Sequence, residues 1–454
     1  MRIADLARLR VAIWGLGREG HAAHAALRRR LPELPLTVFC SAAEAQTLAS
    51  NQAQDRHVTE APTAADLSAF DIVIKSPGIS AYRAELLEAQ RNGTRFTSAT
   101  ALWFSEHVHS RVIAVTGTKG KSTTSALIAH LLRSLGRRTA LAGNIGLPVL
   151  ELLDPPQEPD WWVIELSSFQ TREASRLQLA VITNIEEEHL DWHGSRERYV
   201  RDKLALAAAA ERVLLNATQA TLRTHTAGHP QRLFFATAEG WHVDGEFIMR
   251  GTQRVLERSR LPLPGSHNAL NACAALAALE AVGEDALAAA ASLVTFQPLP
   301  HRLQTLGVRD GVTWIDDSIA TTPQATIEAL RSLQGTQVSV IVGGHDRGLD
   351  WSVFAEHVRH HPPHAIIANG ANGKRIHALL DDAYGGQHDC VANLAEAVAL
   401  ARKQTPIGGT ILLSPGAPSF DQFHDYAARG RAFAELAGFD AGLIGQIEGL
   451  GIAC

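Results

Sequence analysis

The chain has 454 residues, which is enough for about three domains with sizeable cores. Its 46% hydrophobic and 20% charged residues are typical of a folded globular protein and exclude extensive disorder. A net charge of −5 gives no reason to expect nucleic acid or an anionic membrane as partner. No apolar run reaches the roughly 18 residues that span a bilayer, and Met1–Leu9 lacks the apolar core of a cleavable leader. With four scattered cysteines and no Cys-x-x-Cys, we expect a cytoplasmic protein without a disulfide framework.

The first distinctive feature along the chain is a predicted strand, Arg10–Trp14, that runs into Gly15–Gly20 and an alanine-rich helix. The Gly-x-Gly-x-x-Gly spacing is typical of a Rossmann-like, anion-binding turn. The second predicted strand ends in Cys40 and a serine, so no acidic residue follows it to bind the ribose of NAD. We therefore predict the Rossmann-like shape without NAD, although an NAD-dependent oxidoreductase is one rival class. A further strand, Asp71–Ile74, leads to a turn that is expected to line the same crevice.

A second strand–turn–helix pattern begins at Val112 and carries Gly117, Gly120 and Lys121 before a helix that runs to about Leu135. Such a turn directs backbone N–H groups and a helix dipole at one point, which suits a phosphate chain. The spacing departs from the general P-loop, since Val115 stands where a glycine is usual. The alternative is a glycine turn that happens to carry Lys-Ser. The flanking strand and helix favour an ATP site with a Mg²⁺-binding hydroxyl after the lysine.

The next strands of this region also end in polar residues. A predicted apolar strand ends at Glu165, in line with the ATP turn, and this placement favours a Mg²⁺ role over a surface charge. After the strand at 180–183, His189, Asp191 and His193 alternate within an acidic stretch. This spacing is compatible with a transition-metal cluster or with a solvated loop. Hard oxygen ligands and one histidine near Mg²⁺ fit an ATP site better than zinc does. Lys203 lies on the following predicted helix, and its position alone suggests an ordinary exposed lysine.

The last third of the chain starts afresh after the proline-rich segment 296–302 as alternating strands and helices. Its strand ends carry Asp317, Arg347 and Ser419, which we expect at the carboxyl edge of one parallel sheet. Arg347 is suited to a carboxylate, with an exposed surface arginine as the alternative. With a linker at 105–111, the predicted domains are 1–108, 109–298 and 299–454. We predict an α/β protein with three domains: Rossmann-like, central P-loop-type with a mostly parallel sheet, and Rossmann-like.

Taken together, these motifs resemble the Mur ligases, the ATP-dependent amino-acid-adding enzymes of peptidoglycan synthesis, over nearly the whole chain. The segments that carry the resemblance are 116–124, 143–148, 165–170, 189–191, 267–271, 301–302, 317–318 and 414–423. The turns at 15–20 and 75–79 resemble those of the glutamate-adding branch, whose substrates are UDP-N-acetylmuramoyl-L-alanine and glutamate. The resemblance implies a UDP-binding domain, a central ATPase and a carboxyl-terminal amino-acid domain. It also implies an acyl-phosphate intermediate and ATP and Mg²⁺ as cofactors. Separately, we expect a monomer without nucleic-acid or membrane partners.

The resemblance also assigns expected roles to residues of this sequence. The expected catalytic residues are Lys121, Glu165, His189 and Lys203, the last matching a lysine that the family carbamylates. The expected metal ligands are Ser122, Thr123, Glu165 and His189. The expected ATP-binding residues are Gly117, Thr118, Lys119, Gly120, Lys121, Ser122, Thr123, Asn271, Arg302 and Asp317. The expected UDP-sugar-binding residues are Gly15, Leu16, Gly17, Arg18, Ser76, Asn144, Ser167 and Gln170. The expected glutamate-binding residues are Thr321, Arg347, Ser419, Phe423 and Tyr426.

Two departures from the usual D-glutamate pattern bear on the stereochemistry of the added residue. Ile319 and Thr322 stand where a lysine and an asparagine are usual, and Gly416–Pro418 follows Pro415 where Ala-Cys-Ala is usual. Loss of a cation beside an anionic amino acid changes how it is held. Together with the segments 101–104 and 344–351, this pattern resembles a variant subgroup that adds L-glutamate, so we predict L-glutamate, with D-glutamate as the alternative. A non-catalytic nucleotide sensor and a folylpolyglutamate-synthetase-like ligase are the other rivals; the UDP-type first domain disfavours the latter.

Overall fold

The computed structural model describes residues 1–46, 55–186, 190–263, 265–443, 447 and 449–453. The first domain is a five-stranded parallel sheet flanked by helices. Its strands are β1 (Val11–Trp14), β2 (Leu36–Phe39), β3 (Asp55–Val58), β4 (Ile72–Lys75) and β5 (Arg95–Thr97), in the order β3-β2-β1-β4-β5. Its helices are α1 (Arg18–Arg30), α2 (Ala42–Ala45), α3 (Ala64–Ser68), α4 (Ala84–Arg91) and α5 (Ala99–Glu106). This is the predicted Rossmann-like arrangement.

The glycine turn between β1 and α1 requires a residue without a side chain at its third glycine. A Cβ on Gly20 would lie 2.1 Å from the carbonyl oxygen of Gly15, so only glycine lets α1 begin this close to the strand. The Ser76 hydroxyl, from the turn after β4, donates to the same carbonyl at 2.7 Å. The turns after β1 and β4 therefore meet at the carboxyl edge of the sheet, as predicted.

The central domain is built on a second, mostly parallel sheet. Its strands are β6 (Val112–Thr116), β7 (Thr139–Gly143), β8 (Trp161–Glu165), β9 (Leu177–Ile182), β10 (Ala210–Asn216) and β11 (Arg232–Phe235), in the order β11-β10-β9-β6-β8-β7. Its helices are α6 (Lys121–Ser134), α7 (Leu190–His193), α8 (Arg196–Ala208), α9 (Ala220–His225), α10 (Ser266–Ala281) and α11 (Ala286–Ala290). An antiparallel three-stranded sheet of β12 (Trp241–Asp244), β13 (Phe247–Arg250) and β14 (Gln253–Glu257) was not predicted.

The third domain has a six-stranded sheet. Its strands are β15 (Gln304–Arg309), β16 (Val312–Asp316), β17 (Val338–Val342), β18 (Ala365–Ala368), β19 (His388–Cys390) and β20 (Thr410–Leu413), in the order β15-β16-β20-β17-β18-β19. Its helices are α12 (Pro323–Ser332), α13 (Ser352–His360), α14 (Gly373–Ala383), α15 (Leu394–Gln404) and α16 (Tyr426–Ala437). The strands pair in parallel except β15, which pairs antiparallel with β16.

Short 3-10 helices complete the assignment at Ile3–Leu6, Val149–Leu152, Thr171–Glu173, Arg258–Arg260, Ala291–Thr295 and Ala441–Leu443. The last strand, β21 (Gly451–Ala453), pairs antiparallel with β7 of the central sheet. Its assignment to the 299–454 domain is therefore wrong. No helix in the described ranges combines the length and the apolar character needed to cross a bilayer.

The chain contacts form two compact units. The first contains residues 1–260, 269–296 and 449–454, and the second contains 261–268 and 297–448. One apolar core joins the first two domains, and in it the rings of Trp103 on α5 and Trp162 on β8 lie 4.7 Å apart. His107 stacks on Trp103 at 4.4 Å, so the predicted linker at 105–111 starts within α5 and packs against the core. The α/β class and the three-domain architecture are confirmed; the remaining boundaries stay predictions.

Candidate active site

The turn between β6 and α6 has the geometry expected of a phosphate-binding loop. The Asn184 side-chain oxygen, from the turn after β9, accepts the backbone N–H groups of Thr118 at 3.1 Å and Lys119 at 2.8 Å. Gly120 caps the helix with φ of +79°, and a Cβ there would lie 2.4 Å from the Asn271 side-chain oxygen. The loop is thus fixed by its neighbours, and the amino end of α6 points its dipole at the predicted phosphate position.

The first turn of α6 presents a cation and two hydroxyls. Lys121 Nζ donates to the Thr118 carbonyl at 2.8 Å, which holds the ammonium over the loop. Ser122 is buried and Thr123 is partly exposed. Asn271, on α10, accepts a 3.4 Å hydrogen bond from the Thr124 hydroxyl, so the structure brings this predicted ATP residue to the loop.

Glu165 supplies a buried carboxylate next to this loop. The residue ends β8 opposite Val115 of β6 and is fully buried. Asn144 Nδ2 donates to its Oε1 at 2.9 Å, while Oε2 has no hydrogen-bond partner among the described residues. A buried carboxylate oxygen without a partner is costly unless a cation satisfies it. The residue therefore fits the Mg²⁺ role predicted for it.

Lys203 is buried against the same loop rather than exposed on the surface of α8. Its Nζ donates to the Gly117 carbonyl at 2.7 Å and lies 5.1 Å from the centre of the Tyr199 ring. The ordinary surface-lysine interpretation is therefore wrong. The predicted metal ligand and catalytic residue His189 lies outside the described residues.

A buried polar network, which the sequence analysis missed, holds α8 in place. His193 Nδ1 lies 2.8 Å from Asp202 Oδ2, and His193 Nε2 lies 3.0 Å from the Ser168 hydroxyl. Both ring nitrogens are thus used within the protein, which argues against a zinc ligand role for His193. Tyr82, from the first domain, donates its hydroxyl to Asp202 at 2.9 Å. The network links the first domain to the residue that directly precedes Lys203.

The predicted UDP-sugar residues gather where the first and central domains meet. Arg18 Nη1 donates to the Gly146 carbonyl at 3.2 Å, which places the Gly15–Arg18 turn against the turn after β7. Ser167 donates to Gln170 Oε1 at 2.8 Å, and Gln170 Nε2 reaches Glu19 Oε1 at 3.5 Å. Leu16 is buried, Gly17 is exposed, and Asn144 is committed to Glu165.

Two carboxyl groups and a lysine at this boundary have perturbed pKa values. Burial raises the pKa of Glu19 to about 7, and Oε2 of this carboxyl has no hydrogen-bond partner among the described residues. Burial also lowers the pKa of Lys75, which the charge of Glu173 partly opposes. Burial raises the pKa of Glu173 in turn. Lys75 Nζ lies 5.7 Å from the centre of the Trp192 ring, so the last residue of β4 packs against the central domain.

In the second unit, the predicted ATP residue Asp317 directly follows β16. Burial raises its pKa to about 7, although the Ser414 hydroxyl donates to Oδ2 at 2.7 Å and stabilises the ionised form. Arg302 is exposed, and the adjoining Leu303 donates its N–H to Asp317 at 3.2 Å. These two predicted residues are thus neighbours within the second unit.

The loops that carry the predicted glutamate residues meet at the carboxyl edge of the third sheet. The His345 N–H donates to the Pro418 carbonyl at 2.8 Å, which joins the turn after β17 to the turn after β20. Arg429, buried on α16, donates to the carbonyls of Ser318 at 2.8 Å and Ala417 at 2.9 Å and so joins the turn after β16. Burial lowers the pKa of Arg429, a residue not predicted from the sequence, to about 10.

The five predicted glutamate residues differ in exposure around these loops. Ser419 is buried and Phe423 packs against the core of the third domain. Arg347 and Tyr426 are exposed, and Thr321 is partly exposed just before α12. Arg347 is therefore available to an anionic ligand.

The fold and this set of loops define a nucleotide-dependent enzyme with a phosphate loop in its central domain. Models of the Mur ligase middle domain and of the Mur ligase glutamate ligase domain match residues 115–279 and 301–416. The chain belongs to the Mur ligase family and is an ATP-dependent amide-bond-forming ligase.

Similar proteins agree with this assignment. The chain is 50% identical to the UDP-N-acetylmuramoyl-L-alanine--L-glutamate ligase of Xanthomonas euvesicatoria pv. vesicatoria, and the match covers 100% of both chains. It is 48% identical, again over 100% of both, to the Xylella fastidiosa protein of the same name. The solved UDP-N-acetylmuramate-alanine ligase MurC of Thermotoga maritima has a TM-score of 0.63 at 19% identity, covering 95% of this chain and 99% of that one. At that identity the structural likeness shows the fold alone.

Proposed function

We propose that this chain joins L-glutamate to the alanine carboxylate of UDP-N-acetylmuramoyl-L-alanine in the cytoplasm, using ATP and Mg²⁺, as a step of peptidoglycan precursor synthesis. The observation that carries the chemistry is the buried Glu165 carboxylate, whose Oε2 has no partner in the described protein, beside the Lys121 loop. The choice of substrates is supported by the Xanthomonas and Xylella relatives, which match the whole chain.

The first half-reaction makes the alanine carboxylate acylatable. Its oxygen attacks the γ-phosphorus of ATP, the bond to ADP breaks, and an acyl phosphate forms. Lys121 would hold the phosphate chain against the loop, because its ammonium is already held over the Thr118 carbonyl. Mg²⁺, when bound, neutralises charge on the transferred phosphoryl group. Glu165, the Ser122 and Thr123 hydroxyls and His189 would hold it.

Lys203, in carbamylated form, would act at the same Mg²⁺ site. As an ammonium it donates to the Gly117 carbonyl, but carbamylation would convert it to an anionic, carboxylate-like group suited to a metal ion. Mass analysis of the intact protein tests this proposal, since the increment of one CO₂ should disappear in Lys203→Ala. The buried network through Asp202 would keep α8, and therefore Lys203, at its place beside the loop.

The second half-reaction forms the amide. The neutral amine of glutamate attacks the carbonyl carbon of the acyl phosphate, a tetrahedral intermediate forms, and phosphate leaves as the C–O bond breaks. Arg347 would pair with a glutamate carboxylate, because its guanidinium is exposed at the carboxyl edge of the sheet. Thr321, Ser419, Phe423 and Tyr426 would complete the pocket. Exclusion of water from the acyl phosphate would prevent its hydrolysis.

The preference for L-glutamate rests on the residues after β16. Ile319 supplies no cation, and the Thr322 hydroxyl accepts the Ala325 N–H at 3.4 Å as the cap of α12. Neither residue offers the charge or amide usual in the D-glutamate pattern.

One assay tests the proposed function and the stereochemistry together. Enzyme, ATP, Mg²⁺ and UDP-N-acetylmuramoyl-L-alanine are incubated with either enantiomer of glutamate, and phosphate and product mass are measured. We expect product with L-glutamate, and product formation about 100-fold slower with Lys121→Ala. Product with D-glutamate alone would overturn the stereochemical proposal, and phosphate release with neither enantiomer would overturn the ligase reaction itself.

A further inference from the structure

Three side chains with metal-binding groups meet in the second unit, away from every residue given a role above. His377 and Asp381 lie four residues apart on α14 and therefore share one face of the helix. His388 is the first residue of β19, the edge strand of the six-stranded sheet. Because α14 connects the parallel strands β18 and β19, its last turn and the start of β19 lie at the amino edge of the sheet. The proposed glutamate loops lie at the opposite, carboxyl edge.

The ligand atoms are close enough to share one ion. His388 Nε2 lies 3.0 Å from Asp381 Oδ1, and His377 Nε2 lies 4.0 Å from Asp381 Oδ2. One ligand atom from each residue fits within a mutual separation of 4.8 Å. Ligands of a tetrahedral zinc ion are about 3.3 Å apart, as follows from bonds of about 2.0 Å. Small side-chain rotations therefore suffice.

The hydrogen bond on the far side of the His388 ring fixes its tautomer. His388 Nδ1 lies 2.9 Å from the carbonyl oxygen of Gly386, which can only accept, so Nδ1 carries a proton. In the neutral ring, Nε2 then points a lone pair at a carboxylate oxygen 3.0 Å away, and this contact is favourable when either a second ring proton or a metal ion lies between the two atoms. A ring N–H donated to a backbone carbonyl is also the usual support of a metal-binding histidine.

In the part of the chain that the structure describes, no hydrogen bond at Nδ1 fixes the ring orientation of the second histidine, His377. His377 Nδ1 is buried and has no hydrogen-bond partner among the described residues. The His377 and His388 rings pack at 4.9 Å, and the side chain of Asp381 is 59% exposed. A ligand bond through Nε2 would hold the His377 ring, and the open side next to Asp381 gives solvent and ions access.

We propose that His377, Asp381 and His388 form a site for a late first-row divalent cation, with Zn²⁺ as its test ion and water as the fourth ligand. Two imidazoles and one carboxylate are a donor set that such ions prefer, whereas Mg²⁺ prefers oxygen ligands alone. The bound ion would fasten the end of α14 to the edge strand β19. This site is independent of the proposed ligase reaction.

The experiment is a calorimetric titration of untagged, chelator-treated, full-length protein with ZnCl₂ in the presence of excess Mg²⁺, which occupies sites built from oxygen ligands. We expect one Zn²⁺ per chain at this site and a rise in the thermal midpoint. His377→Ala and His388→Ala should each weaken binding by about 10- to 100-fold or more, since loss of an outer-shell partner alone has effects of that size. Turnover with Mg²⁺ should not change.

His360→Ala is the matched control. It removes a histidine that lies 2.8 Å from Glu356, four residues earlier on a helix, with no third ligand in the described cluster. We expect wild-type zinc affinity. Equal zinc affinity of the wild type and of a His377→Ala/His388→Ala double variant would overturn the proposed site. A loss of zinc affinity in His360→Ala as large as in the His377 and His388 variants would also overturn it. Should the alanine variants fail to fold by circular dichroism, Asp381→Asn provides the same comparison at an exposed position.

Discussion

Replacement of Glu165 by glutamine should separate catalysis from stability. The carboxylate is fully buried, Asn144 donates to its Oε1 at 2.9 Å, and Oε2 has no partner in the described protein. The amide oxygen of glutamine can still accept from Asn144, while the buried negative charge disappears. We therefore expect the ion-free variant to unfold no more easily than the wild type, and to gain up to about 1 kcal/mol.

The catalytic loss should be large because the cation loses its buried counter-charge. Two unit charges about 4 Å apart interact by about 4 kcal/mol at an effective dielectric constant of about 20, and a divalent ion doubles this value. Desolvation offsets part of that attraction. Removal of one preorganised electrostatic partner lowers kcat by about 100- to 1,000-fold in comparable sites, or about 3 to 4 kcal/mol.

The assay is phosphate release at increasing Mg²⁺, with thermal unfolding measured with and without Mg²⁺ and ATP. Glu158→Gln is the control, because Glu158 accepts from Trp162 Nε1 at 2.9 Å but precedes β8 at its other end. It should retain wild-type kcat. A Glu165→Gln enzyme within threefold of wild-type kcat at saturating Mg²⁺ would refute the assigned role.

Three further changes test other parts of the argument. Lys121→Ala should lower kcat by about 100-fold with an unchanged circular dichroism spectrum, since it removes the cation held over the phosphate loop; near-normal turnover would contradict that role. Folding raises the pKa of Glu19 to about 7, so between pH 4.5 and 7 the folded protein keeps a proton that the unfolded chain loses. The free energy of unfolding should therefore fall by up to about 3 kcal/mol over this pH range and stay low above it. Urea unfolding at pH 5 and pH 8 should show a smaller difference for Glu19→Gln, and an identical difference would count against the raised pKa. Asp202→Asn, which weakens the bonds from Tyr82 and His193, should lose about 2 to 3 kcal/mol in urea unfolding; a loss below about 0.5 kcal/mol would show that the network adds little.

The strands that carry the site were predictable because apolar, β-branched runs in parallel sheets are buried on both faces. The strand predicted at Arg10–Trp14 agrees with β1 (Val11–Trp14) to within one residue. The polar ends of such strands gather at one edge, and Glu165 does lie opposite Val115 of β6, the strand that precedes the predicted phosphate loop. Lys203 was identified only through the resemblance, since nothing near it in sequence marks it as buried.

The buried supports of the site were not predictable because their partners lie far away in sequence. Tyr82 and Asp202 are 120 residues apart, and Asn184 reaches the loop residue Lys119 across 65. Neither spacing leaves a local pattern. Arg429 likewise looks like any helix arginine until the turns after β16 and β20 close around it. β21 has only three residues and no alternation, so it has no strand signal of its own.

The pairing of β21 with β7 bears on how the protein matures during synthesis. β7 leaves the ribosome with one row of backbone N–H and C=O groups unmatched, and the strand that matches them follows only after the whole amino-acid domain. A nascent central sheet thus presents a free edge, the kind of surface on which chains associate wrongly. Its completion depends on a contact of very long sequence separation, which slows folding.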